Sequence, residues 1–184
     1  MARLAVSLVA LLLLAQPPVA AQPRCGSDRW AVKTLTDSDR DRVVFQPVPA
    51  FIHTLVAIPI LEVPYPADRR LAPQELTTYT IRGRMIARFM EADQDIHILM
   101  EDTDAPGVTL IVEVPLAACA AGSPLQAKFD AVRAEALRIP MSSVIRVTGV
   151  GFIDFLHNAR GQAPNGFELH PVFQVEREPE AGGR

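Results

Sequence analysis

The sequence predicts a mainly β protein with one helix, its elements ordered βββαββ behind an extended, proline-rich N-terminal segment. Three observations predict it. Residues alternate in polarity with period two in several stretches between 78 and 176, one stretch from 125 to 137 has helical spacing instead, and six prolines fall between Pro47 and Pro73. A chain of 184 residues that is 49% hydrophobic suits one domain with a real core.

The first segment reads as an export leader. Arg3 supplies the positive end, Leu4 to Ala15 is apolar apart from Ser7, and Val19-Ala20-Ala21 offers small residues to a signal peptidase, which predicts cleavage after Ala21. The apolar run is shorter than the roughly 20 residues of a membrane span, so no anchor is expected after cleavage. Loss of Arg3 takes the formal charge from −3 to −4. That balance argues against duplex nucleic acid, whose binding requires phosphate neutralisation. An exported chain meets an oxidising compartment, either secreted or periplasmic, and there its two cysteines, Cys25 and Cys119, are expected to pair.

Residues 22–77 are read as an extended segment packed on the rest. Trp30 to Leu35 alternates and suggests a strand or loop, while Thr36-Asp37-Ser38-Asp39 is dense in turn formers. From Phe45 to Pro73 the prolines exclude a helix or a central strand. Apolar residues of this stretch, from Phe51 to Leu61, are expected to lie on a neighbouring surface.

Residues 78–177 carry the rhythm of the fold. The first strand, Thr78 to Met90, sets Tyr79, Ile81, Gly83, Met85, Ala87 and Phe89 against Thr80, Arg82, Arg84 and Arg88. Gly83 suggests a bulge or sharp coiling there. The second strand, Asp95 to Glu101, points Ile96, Ile98 and Met100 inwards and His97 outwards. After the turn-rich Asp102 to Gly107, Val108 to Val114 is the third. Ser123-Pro124 starts the helix and Pro140 stops it. Val144 to Phe155, interrupted by Gly149 and Gly151, and Phe167 to Glu176 complete the set. Three strands, a helix and two strands is the order of an OB-fold, a five-stranded barrel. The tail, residues 178–184, is charged and is expected to be disordered.

Several phrases also resemble a group of uncharacterised secreted bacterial proteins: Cys25-Gly26, Arg29 to Thr34, Asp93-x-Asp95-x-His97, Val147 to His157, and Ala163 to Val172 with its Asn-Gly-x-Glu-Leu-His-Pro-Val run. The resemblance covers nearly all of the mature chain. It implies an exported family without implying a reaction, and Asn158-Ala159-Arg160 departs from the Gly/Gln-like turn of the group.

Three constellations could carry chemistry. Asp93, Asp95 and His97 point to one side of an ideal strand, about 6.6 Å apart, and would hold a divalent metal only with ligands from elsewhere. The bland alternative has Asp93 capping a turn and His97 on a half-exposed face. His157, Asn165 and His170 match the residue types of His-Asn-His nucleases, although that motif sets its last His on a helix and this one falls on a strand. Structurally, Pro164-Asn165-Gly166 forms a turn, Pro171 marks an edge or bulge, and Glu168 could hydrogen-bond His170 across an outer face. Lastly, Arg82, Arg84 and Arg88, with Arg146, could line a groove for an anionic ligand. Trp30 is read as a core anchor, and His53 gains no role.

The leading expectation is therefore an exported OB-like binding or interaction module, tied by Cys25 and Cys119, that needs no cofactor and takes an unidentified ligand or protein partner. The alternative is a metal-assisted hydrolase, a nuclease among the options, with Asp93, Asp95 and His97 as metal ligands and His157, His170 and Glu168 as catalytic candidates. Arg82, Arg84, Arg88 and Asn165 are the ligand-binding candidates.

Overall fold

The computed structural model describes residues 24–59 and 64–179, so the leader, Ile60, Leu61 and the last five residues of the tail lie outside the described residues. Six strands form one sheet: β1 (Val44–Ala50), β2 (Thr77–Met90), β3 (Ile96–Asp102), β4 (Thr109–Val114), β5 (Val144–Ile153) and β6 (Phe167–Arg177). Their order is β1-β2-β3-β4-β6-β5, and a second edge of β2 pairs with β5. The last five strands therefore close on themselves. β4 and β6 run parallel and the other barrel pairs antiparallel. With the long helix α3 (Gln126–Arg138) between the third and fourth barrel strands, this is the OB-like topology that the element order predicts.

Alternation builds the barrel. Ile96, Ile98 and Met100 of β3 and Leu110, Val112 and Val114 of β4 join Phe167 and Leu169 of β6 in one buried interior cluster. The intervening residues point out through the wall. Two breaks in the alternation change what faces where. The bulge in β2 falls between Met85 and Ala87 rather than at Gly83, so Phe89 ends up exposed, against the expectation of a core face. Irregularities in the β5–β6 pairing flank Gly149, so Val172 points into the barrel interior while Phe173 packs against a second cluster around Phe129 and Val150. Gly83 has a different role: a Cβ there would lie 2.8 Å from both the Glu101 carbonyl and the Ile52 side chain.

The N-terminal segment is less extended than its sequence suggests. Trp30–Thr34 forms a short helix, α1, and Ile52–Leu55 another, α2. Tertiary anchors override local preference at α1, where Arg70 Nη2 donates to the Val32 carbonyl at 2.7 Å. At α2, Ile52 and Leu55 are buried against the barrel interior. β1 forms despite Pro47 and Pro49 because it is an outer strand, parallel to β2 alone, where a missing N–H is tolerated. Cys25 and Cys119 are disulfide-bonded. Their separation of 94 residues makes the crosslink worth on the order of 4 to 5 kcal/mol in the chain-entropy model. Glu178, placed in a disordered tail by sequence, is held by Arg82 and Arg146 at 2.8 and 2.9 Å. Among the described residues no helix is long and apolar enough to cross a membrane.

Buried ion pairs fasten this segment down. Arg29 binds Glu75 through both carboxylate oxygens at 2.6 and 2.8 Å and also donates to the carbonyls of Pro66, Ile153 and Arg69. Arg70 makes a second pair with Asp37 at 2.6 Å. Replacing Glu75→Gln leaves Arg29 charged and buried without a counter-charge, so chemical denaturation should show a loss of about 3–5 kcal/mol.

Asp102 supplies a pH-dependent clasp. Burial pushes its carboxyl up, but the N–H groups of Asp104 and His53 and the His53 imidazole outweigh that and hold it below its ordinary value. A lowered carboxyl pKa contributes stability that is present above the unfolded value and lost as pH falls through the folded one. Asp102→Asn should therefore cost about 1–3 kcal/mol at neutral pH, with the difference from wild type shrinking in urea melts repeated towards pH 3.

Candidate functional site

One row of the barrel wall carries the polar side chains that its alternation turns outwards. On β3 and β4, His97 pairs directly with Glu113 across the strands. On β4 and β6, Ile111 pairs with Glu168 and Val112 with Leu169, so the next step of that parallel register brings His170 beside Glu113. The distances follow: His97 Nδ1 lies 2.9 Å from Glu113 Oε1 and His170 Nδ1 2.9 Å from Glu113 Oε2. Asp95, just before β3, reaches the other ring nitrogen of His170 at 3.1 Å.

This outer face is not exposed. The N-terminal segment roofs it, and Asp95, His97, Glu113, Glu168 and His170 are all buried. The expected half-exposed His97 is corrected for that reason, as is the expected Glu168–His170 hydrogen bond. Instead His170 turns its two nitrogens to Asp95 and Glu113, and Glu168 Oε2 has no hydrogen-bond partner. The imidazole contacts are at ion-pair distance, yet no ring nitrogen of His97 or His170 makes an aligned hydrogen bond.

Charges are driven apart in this row. Burial favours a neutral Glu113, but His170, His97 and the Lys33 ammonium override it and hold the carboxyl well below its ordinary range. Burial, then the neighbouring Glu113 and Asp154, pushes Glu168 well above it. Burial acts to lower His170, and Asp95 and Glu113 reverse the outcome, so its pKa is raised. Burial also dominates at Asp95, raising it despite the His170 contact. At Lys33 burial acts to lower the ammonium, and Glu113, Asp154 and Glu168 more than compensate.

Between wall and roof lies a cavity of about 380 Å³. Six carboxylates line it, from Asp28, Glu91, Asp93, Glu113, Asp154 and Glu168, against one ammonium, Lys33. Ser27, Trp30, His97, Phe155 and His157 complete its polar and aromatic lining. Trp30 is thus half-buried at a cavity and donates to the Cys119 carbonyl at 3.0 Å, rather than anchoring the core. Glu91 and Asp93 come from the loop between the first two barrel strands, and Asp154 and His157 from the loop between the last two.

The sequence-derived groupings divide. Asp93 accepts from the Asp95 N–H at 3.1 Å and lines the cavity, whereas Asp95 and His97 meet different partners, so the three do not form one ligand set. His157 is exposed on its loop, where its Nδ1 donates to the Phe155 carbonyl at 2.7 Å. Asn165 is buried in a turn, donating to the carbonyls of Leu55 and Ile58 at 2.9 and 3.0 Å and accepting from the Phe167 N–H. His157, Asn165 and His170 therefore do not assemble a nuclease-like triad, and Asn165 is a structural clasp. Glu113 and Lys33 were missed by sequence. Glu113 was discernible as the one charge in the apolar run Leu110-Ile111-Val112-Glu113-Val114. His53, given no role, binds Asp102 at 2.8 Å.

The arginine stripe also divides. Arg82 binds Glu178 and Thr103, Arg84 donates to the Ser142 carbonyl, and Arg88 donates to the Ala136 and Ile139 carbonyls at the end of α3. No protein-family profile matches the chain, and no curated protein matches it. Among solved structures it is similar to a chain of the S. pombe Stn1-ten1 complex, at 16% identity with a TM-score of 0.38, covering 56% of this chain. It spans 59% of that chain's length.

Arg88 is thus a helix terminator's partner, satisfying carbonyls that α3 leaves open. Arg88→Ala should lower stability by about 1–2 kcal/mol in denaturant melts, while Arg84→Ala, on an exposed bond, should stay within about 1 kcal/mol of wild type.

Proposed function

We propose that this chain is an exported OB-like binding module whose ligand is positively charged and enters the acidic cavity beneath Trp30. The observation that carries the reading is the lining: six carboxyl groups, of which Glu168 alone is pushed well above its ordinary pKa, face one lysine in a cavity of about 380 Å³. Its position supports the same reading. It lies over the faces of the second and third barrel strands, between the loops that join the first two and the last two, where OB barrels in general take their ligands. The acid count disfavours a phosphate backbone there, so oligonucleotides are poor candidates for this face.

Export rests on the leader-like residues 1–21 and agrees with the disulfide between Cys25 and Cys119. The alternative, a metal-assisted hydrolase, keeps one supporting observation, the meeting of Asp95 with His170. It loses His157 and Asn165 as partners in that site.

Trp30 is the single tryptophan of the chain and lines the cavity, so its fluorescence reports the ligand directly. A triamine such as spermidine should change it saturably, and the double variant Glu91→Gln with Asp93→Asn should weaken binding about tenfold or more. A single-stranded oligonucleotide should leave the signal unchanged. Tight oligonucleotide binding together with no response to the triamine would sink the reading.

A further inference from the structure

Among the described residues, six of the eight buried side-chain atoms without a hydrogen-bond partner belong to Asp95, His97, Glu168 and His170. Four of the six face one another or Glu113 at 2.9 to 3.1 Å, which leaves His97 Nε2 and Glu168 Oε2 with no polar partner. Interiors satisfy the great majority of such atoms, so two buried orphans beside one cluster call for a ligand or ion. Three carboxyl groups, from Asp95, Glu113 and Glu168, are buried together with only two imidazoles in the same row. Asp95, Glu113 and His170 each offer a ligand atom, and the three atoms lie within 4.8 Å of one another.

We propose that Asp95, Glu113 and His170 form a binding site for one divalent transition-metal ion of the zinc class. Two carboxylates and an imidazole suit such an ion by ligand type, where an all-oxygen set would favour calcium or magnesium. His97 is the independent pointer. It is buried, its Nδ1 faces Glu113 Oε1 at 2.9 Å and Glu91 Oε1 at 3.3 Å, and its Nε2 has no polar partner. A metal on Glu113 would polarise that carboxylate and make His97 the neighbour that orients it. The ligand set differs from the Asp93, Asp95 and His97 of the sequence reading, because Asp93 turns to the backbone of Asp95 and His97 reaches the site only through Glu113. Glu113, Glu168 and His97 also line the cavity, which gives the ion an acidic route to its ligands. The inference therefore rests on the cavity being a site for cations and names a cation held behind its wall, where Glu113 alone of the three ligands also lines the cavity.

The test uses purified protein stripped with a chelator, then titrated with Zn2+ by calorimetry and with Co2+ by visible absorption. One equivalent of Zn2+ should bind. At about a hundredfold excess over Kd it should raise the melting temperature by roughly 5–10 °C, and Co2+ should show the d–d bands of a low-coordinate site. Asp95→Asn, which keeps the side-chain shape, should weaken Zn2+ binding by about tenfold or more. His170→Ala should abolish the Co2+ spectrum; should that variant fail to fold, the Asp95→Asn titration decides. Unchanged metal binding in a folded Asp95→Asn protein overturns the proposal by placing the ion elsewhere. No melting shift and no Co2+ bands, with the triamine still altering Trp30 fluorescence, overturns the metal site and leaves the cationic cavity standing. If neither metal nor triamine has an effect, both readings fall.

Discussion

Arg29 has five N–H donors, and each has an acceptor: two oxygens of Glu75 and the carbonyls of Pro66, Arg69 and Ile153. Glu75 in turn accepts from the N–H groups of Leu71 and Ile153. A guanidinium taken out of water is tolerable only when so completely matched. Through this one pair, the start of α1, the loop around residues 66–75 and the end of β5 are set against each other. Arg70 repeats the device with Asp37 and the Val32 carbonyl. Together with the Cys25–Cys119 disulfide and the Trp30 bond to the Cys119 carbonyl, these clamps hold the N-terminal segment over the outer row of the barrel. His97, Glu113, Glu168 and His170 are buried beneath it.

The roof changes the chemistry of the wall beneath it. In a barrel strand the inward residues are apolar by necessity, while the outward ones are free to be polar because water usually meets them. Here α1 takes the place of water. Lys33 comes from that helix and lies over the Phe152 ring at 5.3 Å, with the charges of Glu113 and Glu168 near it. The same burial separates two carboxyls that begin with equal affinity for a proton. Glu113, between two imidazoles, is pushed below its ordinary value, and Glu168, buried and with acidic neighbours, is pushed above it. Environment, not residue type, assigns the roles.

Much of the barrel was legible before any coordinates. Thr77–Met90, Ile96–Asp102, Thr109–Val114, Val144–Ile153 and Phe167–Arg177 fall within a residue or two of their alternating stretches, because period two is a local property of a strand with one dry face. The failures cluster where alternation breaks or where distant residues decide. Phe89 is displaced by the bulge after Met85. Trp30–Thr34 is a helix because Arg70, far along the chain, grips its backbone. Asp93, Asp95 and His97 look equivalent at spacing two, yet Asp93 serves a turn, Asp95 meets His170, and His97 meets Glu113.

The amino-acid sequence by itself determined the five barrel strands, the long helix, their order and thus the OB-like barrel, and it offered Cys25 and Cys119 as partners. Each of those depends on periodicity or on the pairing of two unique side chains, which are readable along one dimension. Only the tertiary structure decided that His97, Glu113 and His170 share a row, that the row is dry, and that Arg82, Arg84 and Arg88 serve three different neighbours. Register between strands far apart in the chain fixes the first, and a roof held by Arg29 and Arg70 fixes the second. Both are contacts across long sequence separations, and no local pattern encodes them.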